Sequence, residues 1–268
     1  LDPNFKIPSE WRGVLSFDYK ADLGPLGDGW NLGADFLYTD TIHGLGFVDL
    51  RSVPSGLTTP DGRPRYMPYG GSPTSFADIE RTNFDQGRSF VEVIRFDKSW
   101  HNGLSLGASM TWENVKDNAP VTSSQATSLY RYAAFDDPNY SAYGISNDQI
   151  KWQFKYNAGY EHAFFGDYKT SIQLFGQTIA GRPFSYTMTE AATDSTGRSP
   201  SFGTILNTSN YLMYVPTGPD DPKVVYDSDT TKQQLDDYIN NSVLSKYRGQ
   251  VAPRNIDTSK SRTRLDLH

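Results

Sequence analysis

The chain has no cysteine, no long apolar run and no basic cluster, and each absence closes off a class of protein. Without cysteine among its 268 residues there is no disulfide framework, thiolate metal site or thiol nucleophile. No run of about 18 apolar residues occurs, so no helix is expected to cross a bilayer. Lys and Arg number 25 against 31 Asp and Glu, a net charge of −6 with no basic patch, which argues against a nucleic-acid partner. The histidines (His43, His101, His162 and His268) stand too far apart for a metal-ligand spacing, so no metal is expected. Neither a nucleophile elbow nor a phosphate-binding glycine loop stands between a strand and a helix. The expectation is therefore a protein without cofactor and without catalysis.

Aromatic residues, by contrast, are abundant: 17 Tyr, 15 Phe and 5 Trp. They fall in a pattern of strict alternation. In 11–19, Trp11, Leu15, Phe17 and Tyr19 alternate with Arg12, Ser16 and Asp18. Trp30, Leu32, Ala34, Phe36 and Tyr38 do the same against Asn31, Gly33, Asp35 and Thr39. Leu104, Leu106, Ala108, Met110 and Trp112 repeat the motif, and so do Trp152, Phe154, Tyr156, Ala158 and Tyr160. Successive side chains of a strand point to opposite faces, so each segment predicts a strand with one apolar and one polar face. Two less regular strands are expected around 90–97 and 170–175, and another begins at Arg262. In the first of these Glu92 shares the apolar face with Phe90, Ile94 and Phe96, where a carboxylate costs least near a membrane interface.

Short and long connections alternate between these strands. Leu23–Gly29, His101-Asn102-Gly103 and Phe165-Gly166-Asp167 are tight, the second carrying the Asn-Gly hairpin signal. Long excursions cover roughly 53–81, 117–148 and 188–261. Transmembrane barrels have this rhythm of short periplasmic turns and long outer loops. A mean hydropathy of −0.58 is compatible with it, since only alternate residues of a barrel strand meet lipid. Trp11 and Tyr19 bracket one strand, Trp30 and Tyr38 the next, about eight residues or ~26 Å apart along the chain. Trp112 and Trp152 fit an outer aromatic girdle, with Trp100 and Tyr160 near the inner one. In the last excursion Leu235, Tyr238, Ile239, Leu244 and Tyr247 predict a short amphipathic helix, with Thr231 and Gln234 as a capping box and Gly249 past its end.

The sequence also resembles a known family. Leu1-Asp2-Pro3-Asn4-Phe5-Lys6 with Pro8-Ser9-Glu10-Trp11, then Gly62-Arg63-Pro64-Arg65-Tyr66 and Thr122-Ser123-Ser124-Gln125-Ala126, are similar to segments of Oar-like TonB-dependent outer-membrane receptors, which carry a carboxypeptidase-regulatory-like domain. Gly181-Arg182-Pro183-Phe184-Ser185-Tyr186, Leu212-Met213-Tyr214-Val215-Pro216-Thr217, Leu235 to Asn240, Lys246-Tyr247-Arg248-Gly249 and Arg264-Leu265-Asp266-Leu267 continue the ordered series. Asp148-Gln149-Ile150-Lys151 departs from the Asp…His-Arg pattern expected before the fifth strand. The resemblance implies an all-β partial antiparallel transmembrane barrel, about seven of some 22 strands, with 1–268 part of a single barrel domain. Plug, N-terminal domain and closing strands would lie elsewhere. It further implies a bacterial outer-membrane location, outer-membrane lipid around the barrel, uptake of a solute, and a TonB-type energy-coupling partner acting through the plug.

Loop aromatics beside cations are the candidate ligand contacts: Tyr130, Arg131, Tyr132, Arg182 and Tyr214. Ordinary loop packing is the competing role for all five. The acidic pairs Asp136-Asp137 and Asp220-Asp221 lie among prolines, where turn formation is their usual function. Three other readings stay open: a secreted β-sandwich binding module for carbohydrate or adhesion, a β-rich hydrolase using loop carboxylates, and a plugless passive barrel.

Overall fold

A computed structural model describes residues 1–71, 77–118, 123–190, 197–205 and 210–268. Seven strands form the main path of one eight-stranded antiparallel sheet, whose short eighth strand, Gly144–Ile145, pairs with the end of the fourth: β1 (Ser9–Ala21), β2 (Trp30–His43), β3 (Arg88–Ser99), β4 (Leu104–Asp117), β5 (Trp152–Phe165), β6 (Tyr168–Ile179) and β7 (Arg262–Leu267). They pair in chain order, so the sheet is an up-and-down meander, open at β1 and β7. The strands extend past their expected ends, chiefly on the side of the long excursions.

The register carries the alternation across the whole sheet. Phe17, Ala34, Ile94, Met110, Phe154, Thr178 and Thr263 stand opposite one another, strand to strand. The next row is Asp18, Gly33, Arg95, Ser109, Lys155, Gln177 and Arg264, on the other face. A slip of one residue in any pair would mix the two chemistries, so the sequence pattern itself fixes the pairing.

The tight turns lie where expected. Gly103 closes its turn at φ 89° and Gly166 at φ 59°. Asn102 keeps a negative φ, so in its Asn-Gly turn the left-handed position falls on the glycine alone. A Cβ at Gly103 would also lie 1.9 Å from the Glu161 carbonyl oxygen. The first turn holds a single 3-10 turn, Gly24–Leu26.

The long excursions differ from open loops. They gather at one end of the sheet into a cap that holds most of the protein's buried apolar side chains. Leu45–Asp49 pairs with Ile79–Asn83, and Ser52–Thr58 with Pro64–Pro68, forming hairpins inside the first excursion. A helix in the second excursion, α1 (Ala126–Arg131), adds to the single helix that periodicity indicates. Thr122, part of one family-like segment, lies outside the described residues.

The third excursion carries α2 (Asp229–Asn240) and a 3-10 turn at Val243–Tyr247. Its start differs from the expected capping box. Ser228, not Thr231, is the N-cap, and its hydroxyl accepts from the Thr231 backbone N–H at 3.1 Å. An earlier hydroxyl with extended backbone takes the role, and Thr231 falls inside the first turn. The helix stops at Asn240, capped by Asn241, short of the end expected at Gly249; Leu244 and Tyr247 lie on the separate 3-10 turn, and Gly249, at φ 79°, follows that turn instead of the helix.

Three clusters form the cap core: Phe47, Leu129, Tyr130 and Ile205; Ala133, Phe135, Phe202 and Tyr211; and Val215, Ile239, Leu244 and Ala252. Burying one large apolar side chain contributes roughly 1.5–3 kcal/mol, so a handful of them can offset the ordering of long connections. Buried arginines tie the pieces together. Arg254 pairs with Asp117 at the end of β4 and donates to the Gly144 and Ile145 carbonyls at 3.1 and 3.2 Å. Arg63 pairs with Asp61 at 2.6 Å and donates to the Leu212 carbonyl at 2.8 Å.

Candidate functional site

The first functional surface is the apolar face of the sheet. A soluble sheet buries such a face against a second layer. Here the face is open: Leu15 is 68 % exposed, Phe17 59 %, Ile94 51 % and Leu265 58 %. Phe154, at mid-sheet, is exposed as well, and Leu106 is half-buried by its strand neighbours. Among the described residues no second sheet covers it. The arrangement expected of a sandwich, with these side chains sharing a dry interior, does not occur.

Aromatic rings border this face at both ends. Toward the cap, Trp11 packs on Tyr38 with ring centres 6.1 Å apart, and Trp112 stands directly opposite Trp152. Toward the tight turns, Trp30 meets Trp100 edge-on at 5.7 Å and Phe96 at 5.8 Å, while Tyr19 pairs with Leu32 and Tyr160 with Leu104. Lys98 ends the apolar face of β3 at this level; its ammonium donates to the Asp28 carbonyl and lies 5.5 Å from the Trp100 ring centre. Aromatic rings and a long-stemmed cation at such a boundary suit a passage from apolar to aqueous surroundings.

Glu92 faces the same side, opposite Phe36 on β2 and Trp112 on β4. It therefore stands level with the aromatic residues nearest the cap, where an interface would tolerate a carboxylate.

The opposite face is wet. Arg95 bridges Asp18 at 2.6 Å and also pairs with Asp35. Its guanidinium lies flat over Gly33, where a Cβ would come within 2.6 Å. Asn31 donates to Asp97 at 2.7 Å. At the cap end of β5, β6 and β7 a recess of about 240 Å³ is lined by Asp148, Arg182, Lys260 and Arg262 among others. Arg182 and Asp148 face each other at 3.9 Å, both largely solvated.

The second surface is a cleft of about 390 Å³ in the cap. Pro60, Met188, Phe202, Met213 and Leu235 form its apolar walls, with Asp61, Arg63, Tyr214 and Lys223 at its polar points. Arg63 stacks on the Phe202 ring at 4.7 Å. Burial works against the Asp61 carboxylate, but hydrogen bonds from Arg63 and Thr59 hold its pKa below the ordinary value. Lys223 is exposed, with its ammonium 5.3 Å from the Tyr214 ring centre.

The five loop residues that stand out in the sequence do not converge. Tyr130 is buried in a core cluster, its hydroxyl donating to Asn139 at 3.0 Å. Tyr214 is buried too, donating to Asp221 at 2.9 Å, and it borders the cleft. Arg131 is half-buried at the end of α1, where its carbonyl accepts from Asn210 at 2.6 Å. Tyr132 is 68 % exposed, and Arg182 stands on the polar rim. Of the cleft residues, Arg63 is marked in the sequence only by its place in a family-like segment, and Phe202 and Lys223 carry no periodicity that would mark them.

The acidic pairs are occupied with structure. Asp137 accepts from the Tyr66 hydroxyl at 2.7 and 2.8 Å, and burial raises its pKa. Burial raises Asp136 as well, and its nearest cation is Arg63 at 3.6 Å. Asp220 binds Lys232 at 2.5 Å, and Asp221 organises the 217–223 turn. Among the described residues no group of three or more His, Asp or Glu could hold a metal. No protein-family model, no curated protein and no solved structure matches the chain.

Proposed function

We propose that the chain is part of the transmembrane β-barrel of a bacterial outer-membrane receptor of the TonB-dependent, Oar-like type, which takes up a solute. One observation carries the reading: seven strands in chain order keep an uncovered apolar face and a charged face in separate rows, with aromatic rings at both ends of the apolar one. Water penalises such a face, whereas hydrocarbon between two interfacial belts suits it. In this reading the cap is extracellular, its cleft and the Arg182 rim meet the solute first, and the row containing Arg95 and Lys155 lines a water-filled interior.

Hydrocarbon cannot hydrogen-bond an open strand, so the unpaired edges of β1 and β7 require further strands to close the barrel. A plug and a TonB-type partner that energises it follow from the family resemblance alone. The test is fractionation of the full-length protein. It should sediment with outer membranes, resist alkaline carbonate extraction and need detergent for solubility. A protein that stays monodisperse in buffer without detergent would overturn the proposal.

A further inference from the structure

The recess at the cap end of β5, β6 and β7 carries a charge opposite to that of the whole chain. The protein has a net charge of −6, yet Arg182, Lys260 and Arg262 line this space against a single carboxylate, Asp148. Local packing brings the three cations together. Pro183 stands opposite Thr258, and Ser259 donates its backbone N–H to the Arg182 carbonyl at 2.9 Å. Gly181 permits this approach, since a Cβ there would collide with the Ser259 carbonyl. The chain entering the third excursion and the chain leaving it are thus held side by side, Arg182 on one and Lys260 on the other. Arg262 joins them from β7. It pairs with Ile179, two places along from the pair Gln177 and Arg264, so its side belongs to the wet face.

The neighbouring carboxylates leave this charge largely uncancelled. Asp148 lies 3.9 Å from Arg182 with both side chains solvated, an arrangement in which an ion pair contributes little. Glu113 accepts from the Ile150 N–H at 3.0 Å, Asp257 from the Tyr186 hydroxyl at 2.6 Å, and Asp266 pairs with Arg264 at 2.9 Å. Lys260 and Arg262 make no hydrogen bond or ion pair with any described residue. A neutral donor completes the set. Gln149 is only 6 % exposed and lines the same recess. Its Oε1 accepts from the Val115 N–H at 2.7 Å, which leaves the amide nitrogen without a partner among the described residues. A side chain this buried ordinarily has partners for its donors.

We propose that the recess binds an oxyanion, a carboxylate or phosphate borne by the solute, with Arg182, Lys260 and Arg262 as cationic contacts and the Gln149 amide as a further donor. Guanidinium groups present paired N–H donors that match two oxygens of either group. A recess lined mainly by one sign of charge also concentrates ions of the other. Its volume is below the roughly 300–1,000 Å³ of pockets that enclose a whole drug-sized ligand, which suits the charged end of a solute. Arg262 stands on the face away from the apolar rows, so the anion comes from the aqueous side and not from a lipid head. The proposal rests on the receptor reading and deepens it by naming the solute as anionic.

The experiment is isothermal titration calorimetry of the purified full-length protein at low ionic strength, with citrate and pyrophosphate as probes and sucrose as the uncharged control. At least one anion should bind at a single site, and its identity tells carboxylate from phosphate. Sucrose should not bind, and added sodium chloride should weaken the anion. Lys260→Gln combined with Arg262→Gln alters two exposed side chains without partners, so the fold should persist while affinity falls about tenfold or more. Gln149→Glu keeps the acceptor for Val115 and replaces the donors with a carboxylate oxygen, so it should abolish binding. Lys246→Gln removes an exposed cation from the cap away from the recess and should leave affinity unchanged. Absence of binding by both anions, wild-type affinity in the double variant, or an equal loss in Lys246→Gln would overturn the proposal. A protein that binds the anions in buffer without detergent, and loses them in the double variant, would keep the oxyanion site and overturn the receptor reading alone.

Discussion

Tyr214 and Asp221 form a clamp whose chemistry sets its own pH limits. Asp221 accepts from the backbone N–H groups of Thr217 and Lys223 at 2.7 and 2.9 Å, and from the hydroxyls of Tyr214 and Thr217. These bonds, those from the two backbone groups foremost, hold its pKa down at about 2. Burial, and then the same carboxylate, push the Tyr214 hydroxyl up to about 12. A carboxyl depressed in the fold contributes stability that is present above its unfolded pKa of about 3.9 and is lost as pH falls toward the folded value. A raised phenol contributes stability that is present below about 10 and is lost as pH rises toward its folded value. Limited proteolysis within 217–227 should therefore be slow from about pH 4 to 10 and accelerate outside that window. Asp221→Ala should make the same segment labile at neutral pH. A cleavage rate flat across pH 2–12 in the wild type would show that the clamp does not hold the turn. Both stand out in the sequence, the tyrosine for ligand contact and Asp221, beside Asp220, for turn formation. The tyrosine's burial comes with a partner seven residues on and a bridge to Val251, which no local pattern reveals.

At the level of single strands, the register makes opposite predictions for adjacent residues. Met110 and Ser109 are neighbours on β4, but their rows face opposite ways. Met110→Arg places a charge in the apolar row, at a cost of about 2–4 kcal/mol if that row lies near the bilayer midplane. Ser109→Arg adds a cation to the wet row and should be nearly neutral. Urea titrations of folding into lipid vesicles would separate the two, and equal effects would contradict the assigned faces. Gly103→Val probes the β3–β4 turn. Its left-handed φ and the Glu161 carbonyl beside it exclude a side chain, so the folded yield in vesicles should fall sharply, whereas Asn102→Ala should be tolerated. The strands are legible in the sequence because sustained apolar–polar switching at every residue matches a two-faced strand and does not fit the 3.6-residue period of a helix. The start of α2 is less legible: Ser228 and Thr231 both suit capping, and only the backbone geometry chooses between them. Helix α1 is only Ala126–Arg131, and its preceding Gln125 makes no side-chain cap bond, so it carries almost no start signal.

For the molecule as a whole, two parts follow different rules. The sheet is readable because four strands repeat one clean pattern and their neighbours follow it less regularly. The cap is not, because Phe47, Leu129 and Ile205 belong to three separate excursions and meet only in three dimensions. Its cleft is hidden for the same reason, with Arg63 and Phe202 brought together from distant segments. What the sheet does depends on what touches its apolar face, and the chain's lack of cysteine makes that directly measurable. Single cysteines at Leu106, Met110 and Phe154, and at Ser109, Lys155 and Asn157, would be placed in the full-length protein and labelled in intact outer membranes. The first three should react with a lipid-soluble maleimide and resist a charged, membrane-impermeant one, while the second three should react with the charged reagent once the outer membrane is permeabilised. Ready labelling of both sets by the charged reagent, or protection of the first set from both reagents, would contradict a hydrocarbon-facing sheet.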